Sequence, residues 1–335
     1  MRARYLIAAV ASAVAFAFAR ADQQPIVIQF SHVVAVDTPK GQAAEFFKKR
    51  AEELTAGRVR VDVYPNSTLY KDKEEIEALE LGAVQMLAPS LSKFGPLGLT
   101  EFEVFDLPFI FDDYADLRKV TEGPVGKRLL EKLEPKGIHG LAYWDNGFKD
   151  FSANSPLRTT SDYRGLRMRV QSSMVLEAQM RALGAMPHVM GFSEVYPALL
   201  AGIVDGTENP ISNLYTQRMH EVQKHLSLTQ HGYLGYAVIA NKKFWGGLPK
   251  GLRGKLEQAI REATAYANEI AKEKNEEDLA KLMAAGTTEV YTPTRMERLA
   301  LKKLLLTVHQ QMESRIGKQL IRDIYRATDF DPNAP

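Results

Sequence analysis

The stretch GLRMRVQSS, Gly165–Ser173, decides the reading of the fold. Within it Leu166, Met168 and Val170 alternate with Arg167, Arg169 and Gln171. A period of two predicts a short strand with one buried face. Ser172 and Ser173 then lead into a helical pattern, Met174–Leu183, that stops at Gly184. A strand entering a serine-capped helix aims free backbone N–H groups at whatever lies beyond the strand. An arginine beside them can hold a carboxylate or phosphate through two parallel charge-assisted bonds. Three arginines, Arg164, Arg167 and Arg169, fall within six positions, with no acid among them. Arg164 and Arg167 read as solvated surface charges. Arg169, last before the turn, reads as a ligand-holding residue.

Working outward, 335 residues of ordinary globular composition predict two domains or one large one. Residues 1–21 stand apart: Arg2 and Arg4 precede an apolar run, Tyr5–Phe18, and small-x-small patterns end at Ala19 and Ala21. This is the pattern of a secretory signal peptide and is too short for a spanning helix. Its removal takes away three arginines, leaving 40 Lys+Arg against 41 Asp+Glu, a charge near −1. That balance excludes a nucleic-acid or membrane-surface role. Cysteine is absent, which excludes disulfides, thiol catalysis and thiolate metal sites. An exported, cysteine-free chain of this size fits a bacterial periplasm.

Ile26–His32 reads as a first strand, opening into Val36–Gly41, where Asp37 or Thr38 can cap a helix with Pro39 at its first position. Ala43, Phe46, Phe47, Ala51 and Leu54 give that helix its stripe, and Arg58–Tyr64 alternates as a second strand. This β-α-β unit predicts parallel strands with a right-handed crossover. Ser31, His32 and Lys40 then sit at a strand's carboxyl end, where open α/β sheets bind ligands. Asp72–Leu81 reads as a helix and Ala83–Ala88 as a strand, with Ser90 and Lys93 beyond its end. Ile138–Trp144 reads as a strand followed by a turn at Asp145–Gly147, and Phe148–Ala153, carrying Lys149, begins a second lobe. Phe192–Leu200 reads as a helix capped by Ser193, Val204–Pro210 as a turn-rich loop carrying Asn209, and Tyr233–Asn241 as a strand containing Tyr236. The longest helical pattern is Leu252–Met283, apolar at both ends and polar across Lys272–Asp278. Such a helix suits a crossing of roughly 50 Å between two lobes. Thr294–Arg326 reads as helical after a short strand at Glu289–Tyr291.

Four stretches, SHVVAVDTPKG (Ser31–Gly41), FDLPF (Phe105–Phe109), GLRMRV (Gly165–Val170) and FSEVYPALLAGIVDGTENP (Phe192–Pro210), resemble the DctP-type solute-binding proteins of TRAP transporters. The resemblance implies an α/β periplasmic-binding-protein architecture. Two lobes enclose a ligand cleft, and a long helix spans both. On this reading residues 22–146 and 235–271 form lobe I, and residues 147–234 and 272–335 form lobe II. It further implies that Arg169 grips a substrate carboxylate with help from Asn209, and that Lys149 stands where many relatives carry arginine. Ser31, His32 and Lys40 line the other wall. The MLAPSLSKF stretch is most similar to the C4-dicarboxylate branch, which adds Ser90 and Lys93. Tyr236 completes the candidate set. The expected partners are a small organic acid and the TRAP membrane subunits, with the binding protein a monomer and no metal or cofactor. Competing readings are a different carboxylate (a sugar acid, keto acid or aromatic monocarboxylate), an exported enzyme with His32 as base, and a protein that reports to a sensor.

Overall fold

The computed structural model describes residues 24–332. Among the described residues nine strands form one sheet: β1 (Ile26–Ser31), β2 (Val59–Tyr64), β3 (Met86–Leu87), β4 (Ile138–Ala153), β5 (Arg167–Val170), β6 (Met186–Val189), β7 (Gly206–Asn209), β8 (His225–Asn241) and β9 (Glu289–Tyr291). The order is β2-β1-β3-β8-β4-β7-β5-β6, with β9 joined to β8. β1 and β2 are parallel in register Ile26↔Val59 through Ser31↔Tyr64, as the β-α-β reading predicts. The intervening helix, Pro39–Leu54, is capped by Thr38, whose hydroxyl accepts from Gly41 N. Pro39 takes the first helical position, where a missing N–H costs nothing.

The two long strands β4 and β8 pair antiparallel along most of their lengths and form the ribbon from which both halves of the sheet extend. One end of β8 carries β3, and the opposite end of β4 carries β7. The expected turn at Asp145–Gly147 is overturned: β4 runs through it, and the register slips there as a β-bulge. Cross-strand pairing with β8 supplies backbone partners that outweigh the turn tendency of Asn-Gly. The bulge also turns the Asn146 side chain onto Tyr236 Oη, 3.0 Å away. Asn209 is likewise not in a loop. Gly206–Asn209 is a central strand flanked by β4 and β5.

The helix Lys250–Ala285 is unbroken over 36 residues, about 54 Å at 1.5 Å per residue. Its first half buries Leu252, Leu256, Ala259, Ile260, Ala263 and Ala267 against Phe30, Phe47 and Trp144. Its second half delivers Leu282 to a different core, with Phe192, Val195 and Leu214. Between them, Asn275 donates to Asn146 O at 2.7 Å and accepts from Ser212 N at 3.0 Å, tying the helix to the bulge.

Four smaller expectations change. Glu75–Glu80 is the helix where Asp72–Leu81 was expected, and β3 is two residues long. The cap of Phe192–Leu200 is Gly191, whose N–H donates to Glu194, and not Ser193. Thr294–Arg326 divides into helices Arg295–Leu305, Thr307–Ile316 and Lys318–Thr328. Gly317, at φ 106°, makes the second break in a backbone region costly for other residues. The last two of these helices bury Val308, Met312, Ile316, Ile321 and Ile324 against Phe102, Phe105, Leu117 and Leu129. The residues 1–21 assigned to a signal peptide lie outside the described residues.

Candidate functional site

The candidate residues collect where the strand ends of the two halves of the sheet face each other, and nearly all are buried. Ser31 ends β1 and His32 follows it, both fully buried. Lys40, in the first turn of the helix after it, points its ammonium at Ala88 O, 3.0 Å away, and over the Tyr236 ring, 3.7 Å from the centroid. Ser90 pairs with Tyr236 through an isolated β-bridge, so Lys40, Ser90 and Tyr236 form one wall. Across from it, β5 presents Arg169, whose Nε and one terminal nitrogen donate to Met190 O at 3.2 and 3.0 Å. Its guanidinium lies 5.9 Å from the centre of the Phe192 ring. Arg169, Gln171, Met190 and Gly191 share a cavity of about 320 Å³ with Asp72 and Lys93. Gln171 donates to Ser90 Oγ at 2.9 Å, joining the two walls directly.

The cations differ in what already neutralises them. Lys93 is held by both Asp72 and Glu75. Burial works against its ammonium, but Glu75 and Asp72 outweigh burial and raise its pKa. Burial raises Glu75 in turn, while Asp72 is held below its ordinary value by Lys93, Arg169 and the Phe192 N–H despite burial. Lys149 is paired too: Nζ lies 2.8 Å from Glu208 Oε1. The other Glu208 oxygen accepts from Gln179 and meets His231 Nε2, both at 2.8 Å. Burial opposes ionisation of Glu208, yet Lys149 and His231 hold it well below the usual carboxylate range.

Lys40 and Arg169 are different. Each is bonded to a backbone carbonyl, and among the described residues no ion pair joins either to a carboxylate. Burial, with the repulsion of Lys93, pushes the Lys40 amine down to about 7, against the attraction of Glu75 and Asp72. Burial also lowers Arg169, but its nearness to Asp72 and Glu208 opposes that, and a guanidinium stays charged. Each half of the sheet thus holds one buried cation with no carboxylate partner: Arg169 lines the cavity, and Lys40 lies beside Ala88 and Tyr236 rather than in its lining.

Neutral groups fill the remaining surface. Ser31 Oγ is buried with no hydrogen-bond partner among the described residues, and His32, Asn213 and Ser173 are buried too. Burial and the neighbouring Lys40 lower His32 to about 3, so its ring is neutral. Asn209 donates to Thr207 Oγ1 at 3.1 Å, on the strand beside Lys149. Arg167 pairs with Asp205 at the surface, as its bland reading anticipates. The sequence assigns no role to Asp72, Glu75 and Glu208, and the mixed polar segment around His231 reads as surface, whereas His231 is fully buried against Glu208. A lone acid in a helical stretch or a turn-like loop gives no signal that it will meet a lysine in the fold.

A two-lobed α/β frame, closed over buried cations and joined by a helix that reaches both cores, is the arrangement of an extracellular solute-binding protein. The chain belongs to the bacterial extracellular solute-binding protein family 7 (DctP), whose model matches residues 30–315. It is 63% identical over 305 residues to the C4-dicarboxylate-binding periplasmic protein DctP of Rhodobacter capsulatus, covering 91% of this chain and 92% of that one. A TRAP periplasmic solute-binding protein from Sulfurospirillum deleyianum, solved with bound succinate, superimposes with a TM-score of 0.88 at 45% identity, covering 91% of this chain and 100% of that one. One from Pseudomonas aeruginosa, with bound L-malate, gives 0.84 at 44%, covering 86% and 100%.

Proposed function

We propose that the protein captures a C4-dicarboxylate such as succinate, malate or fumarate in the periplasm and delivers it, unchanged and as a monomer, to the membrane subunits of a TRAP transporter. The observation that carries this reading is the pair of buried cations without a carboxylate partner, Lys40 after β1 and Arg169 on β5, one in each half of the sheet. Two anionic ends satisfy both, and only the closed form offers both at once, so binding favours closure. Arg169 takes one carboxylate with Asn209 beside it, and Lys40 takes the other. Lys149 and Lys93 contribute through their ion pairs, which fix the walls, and Ser90 and Tyr236 shape the surface near Lys40. Lobe I comprises 22–146 and 235–271. Lobe II comprises 147–234 and 272–335, its last two helices packing back onto lobe I.

The relatives' dicarboxylates support this assignment, as does the unpartnered Ser31 Oγ, which can bond the hydroxyl of a hydroxylated diacid. Calorimetric titration with succinate, malate, fumarate and their half-amides tests it. The diacids should bind at least about tenfold more tightly, a gap of ~1.4 kcal/mol. Equal affinity for a monoacid refutes the two-cation reading.

A further inference from the structure

Asp72 makes contacts that capture of a diacid does not by itself require. It lies before the helix Glu75–Glu80 in lobe I, yet its Oδ2 accepts from Phe192 N, the first residue of the lobe II helix Phe192–Leu200. Its other oxygen is held by Lys93, which also bonds the Asp72 carbonyl at 3.3 Å and Glu75. The next residue, Lys73, reaches Glu194 of the same helix at 3.4 Å, and Glu194 closes the cap onto Gly191 N at 2.8 Å. The capped segment Met190–Phe192 is the one that supports Arg169, through the Met190 carbonyl and the Phe192 ring.

We propose that Asp72 is a positioning residue that caps a helix of the opposite lobe, so that closure itself completes the support of Arg169. A carboxylate at a helix N-terminus satisfies a free N–H and lies favourably in the helix dipole. Here that cap is available only when the lobes meet. Lys93 fixes the carboxylate from behind, which keeps Asp72 from pairing with Arg169 and leaves the guanidinium for the ligand. The inference rests on the two-lobe division proposed above. Its failure is separable from that of the ligand assignment because closure can be measured with no ligand added.

The chain has no cysteine, so Lys49→Cys and Lys224→Cys, both at exposed positions on different lobes, give a clean spin-label pair. Asp72→Ala should lower the ligand-free closed-to-open ratio roughly fivefold. It should raise the succinate dissociation rate by a similar factor, with the association rate nearly unchanged. Asp72→Asn should recover most of both effects, because an asparagine oxygen caps as well as an aspartate. An unchanged ratio in Asp72→Ala overturns the proposal. So does an Asp72→Asn variant as impaired as alanine, which would assign the effect to the Lys93 charge. The unaltered protein offers a readout that needs no variant: the Phe192 amide should exchange slowly when the lobes are closed, and rapid exchange there overturns the cap.

Discussion

The affinity for a dianion should depend on pH through Lys40. In the unliganded protein its amine is lowered from 10.5 to about 7, burial being the main cause. Around it stand Glu75, Asp72, Lys93 and His32, with the Tyr236 ring against the ammonium. A ligand carboxylate placed there favours the charged form and raises the pKa in the complex. The sign follows: below pH 7 Lys40 is protonated before binding and affinity is full. Above 7 each binding event must first protonate the amine, so affinity falls as pH rises. With a free-protein value of about 7, the loss by pH 9 is about two decades, or roughly 2.7 kcal/mol. Calorimetry from pH 6 to 9 in buffers of different ionisation enthalpy should show a slope near −1 in log K above pH 7, with net proton uptake. Lys40→Met should bind weakly and lose the slope. A flat profile in the unaltered protein, or the same slope in Lys40→Met, would refute the assignment of Lys40 as the second cation.

Arg169→Ala should cost ~2–5 kcal/mol of dicarboxylate binding, with Arg169→Lys recovering part, as read by titration calorimetry. Glu208→Ala leaves Lys149 buried and unpaired, and should destabilise the fold by about 3–5 kcal/mol in urea denaturation. Incubation with the best-binding acid followed by mass analysis should return that acid unchanged; product formed in proportion to protein would favour an enzyme.

Much of this protein is written locally. The β1–helix–β2 unit is legible because period-two and 3.6-residue patterns follow one another, with Thr38 and Pro39 marking the helix start. The long helix is legible because its apolar stripe fades between the two cores it serves, and a stripe is written in the order of neighbouring residues. Arg169 is legible as the last cation of a short strand that runs into a helix, although the alternation puts it on the polar face and only the structure shows that this face is buried as well. Elements stabilised by distant partners were not. The Asp-Asn-Gly sequence at 145–147 favours a turn on its own, and β8, some 90 residues later, makes it a strand. Gly206–Asn209 has turn composition, but β4 and β5 draw it into the sheet from both sides.

The electrostatics of the cleft belong to the tertiary structure for the same reason. Sequence supplies the lysines at 40, 93 and 149 without distinguishing them. A charge becomes structural or ligand-ready according to whether an acid reaches it in a dry interior, where an unpaired ion is costly. Asp72 and Glu75 reach Lys93, and Glu208 reaches Lys149, across separations of 18 to 59 residues. Among the described residues Lys40 is bonded to a carbonyl and covered by an aromatic ring, while the nearby Glu75 and Asp72 are bonded to Lys93. The chain's local patterns determined most of its helices, the β1–helix–β2 unit and its principal arginine; the course of β4, the strand at Gly206–Asn209 and which cations stay unpaired were decided only when folding brought distant strands and carboxylates together.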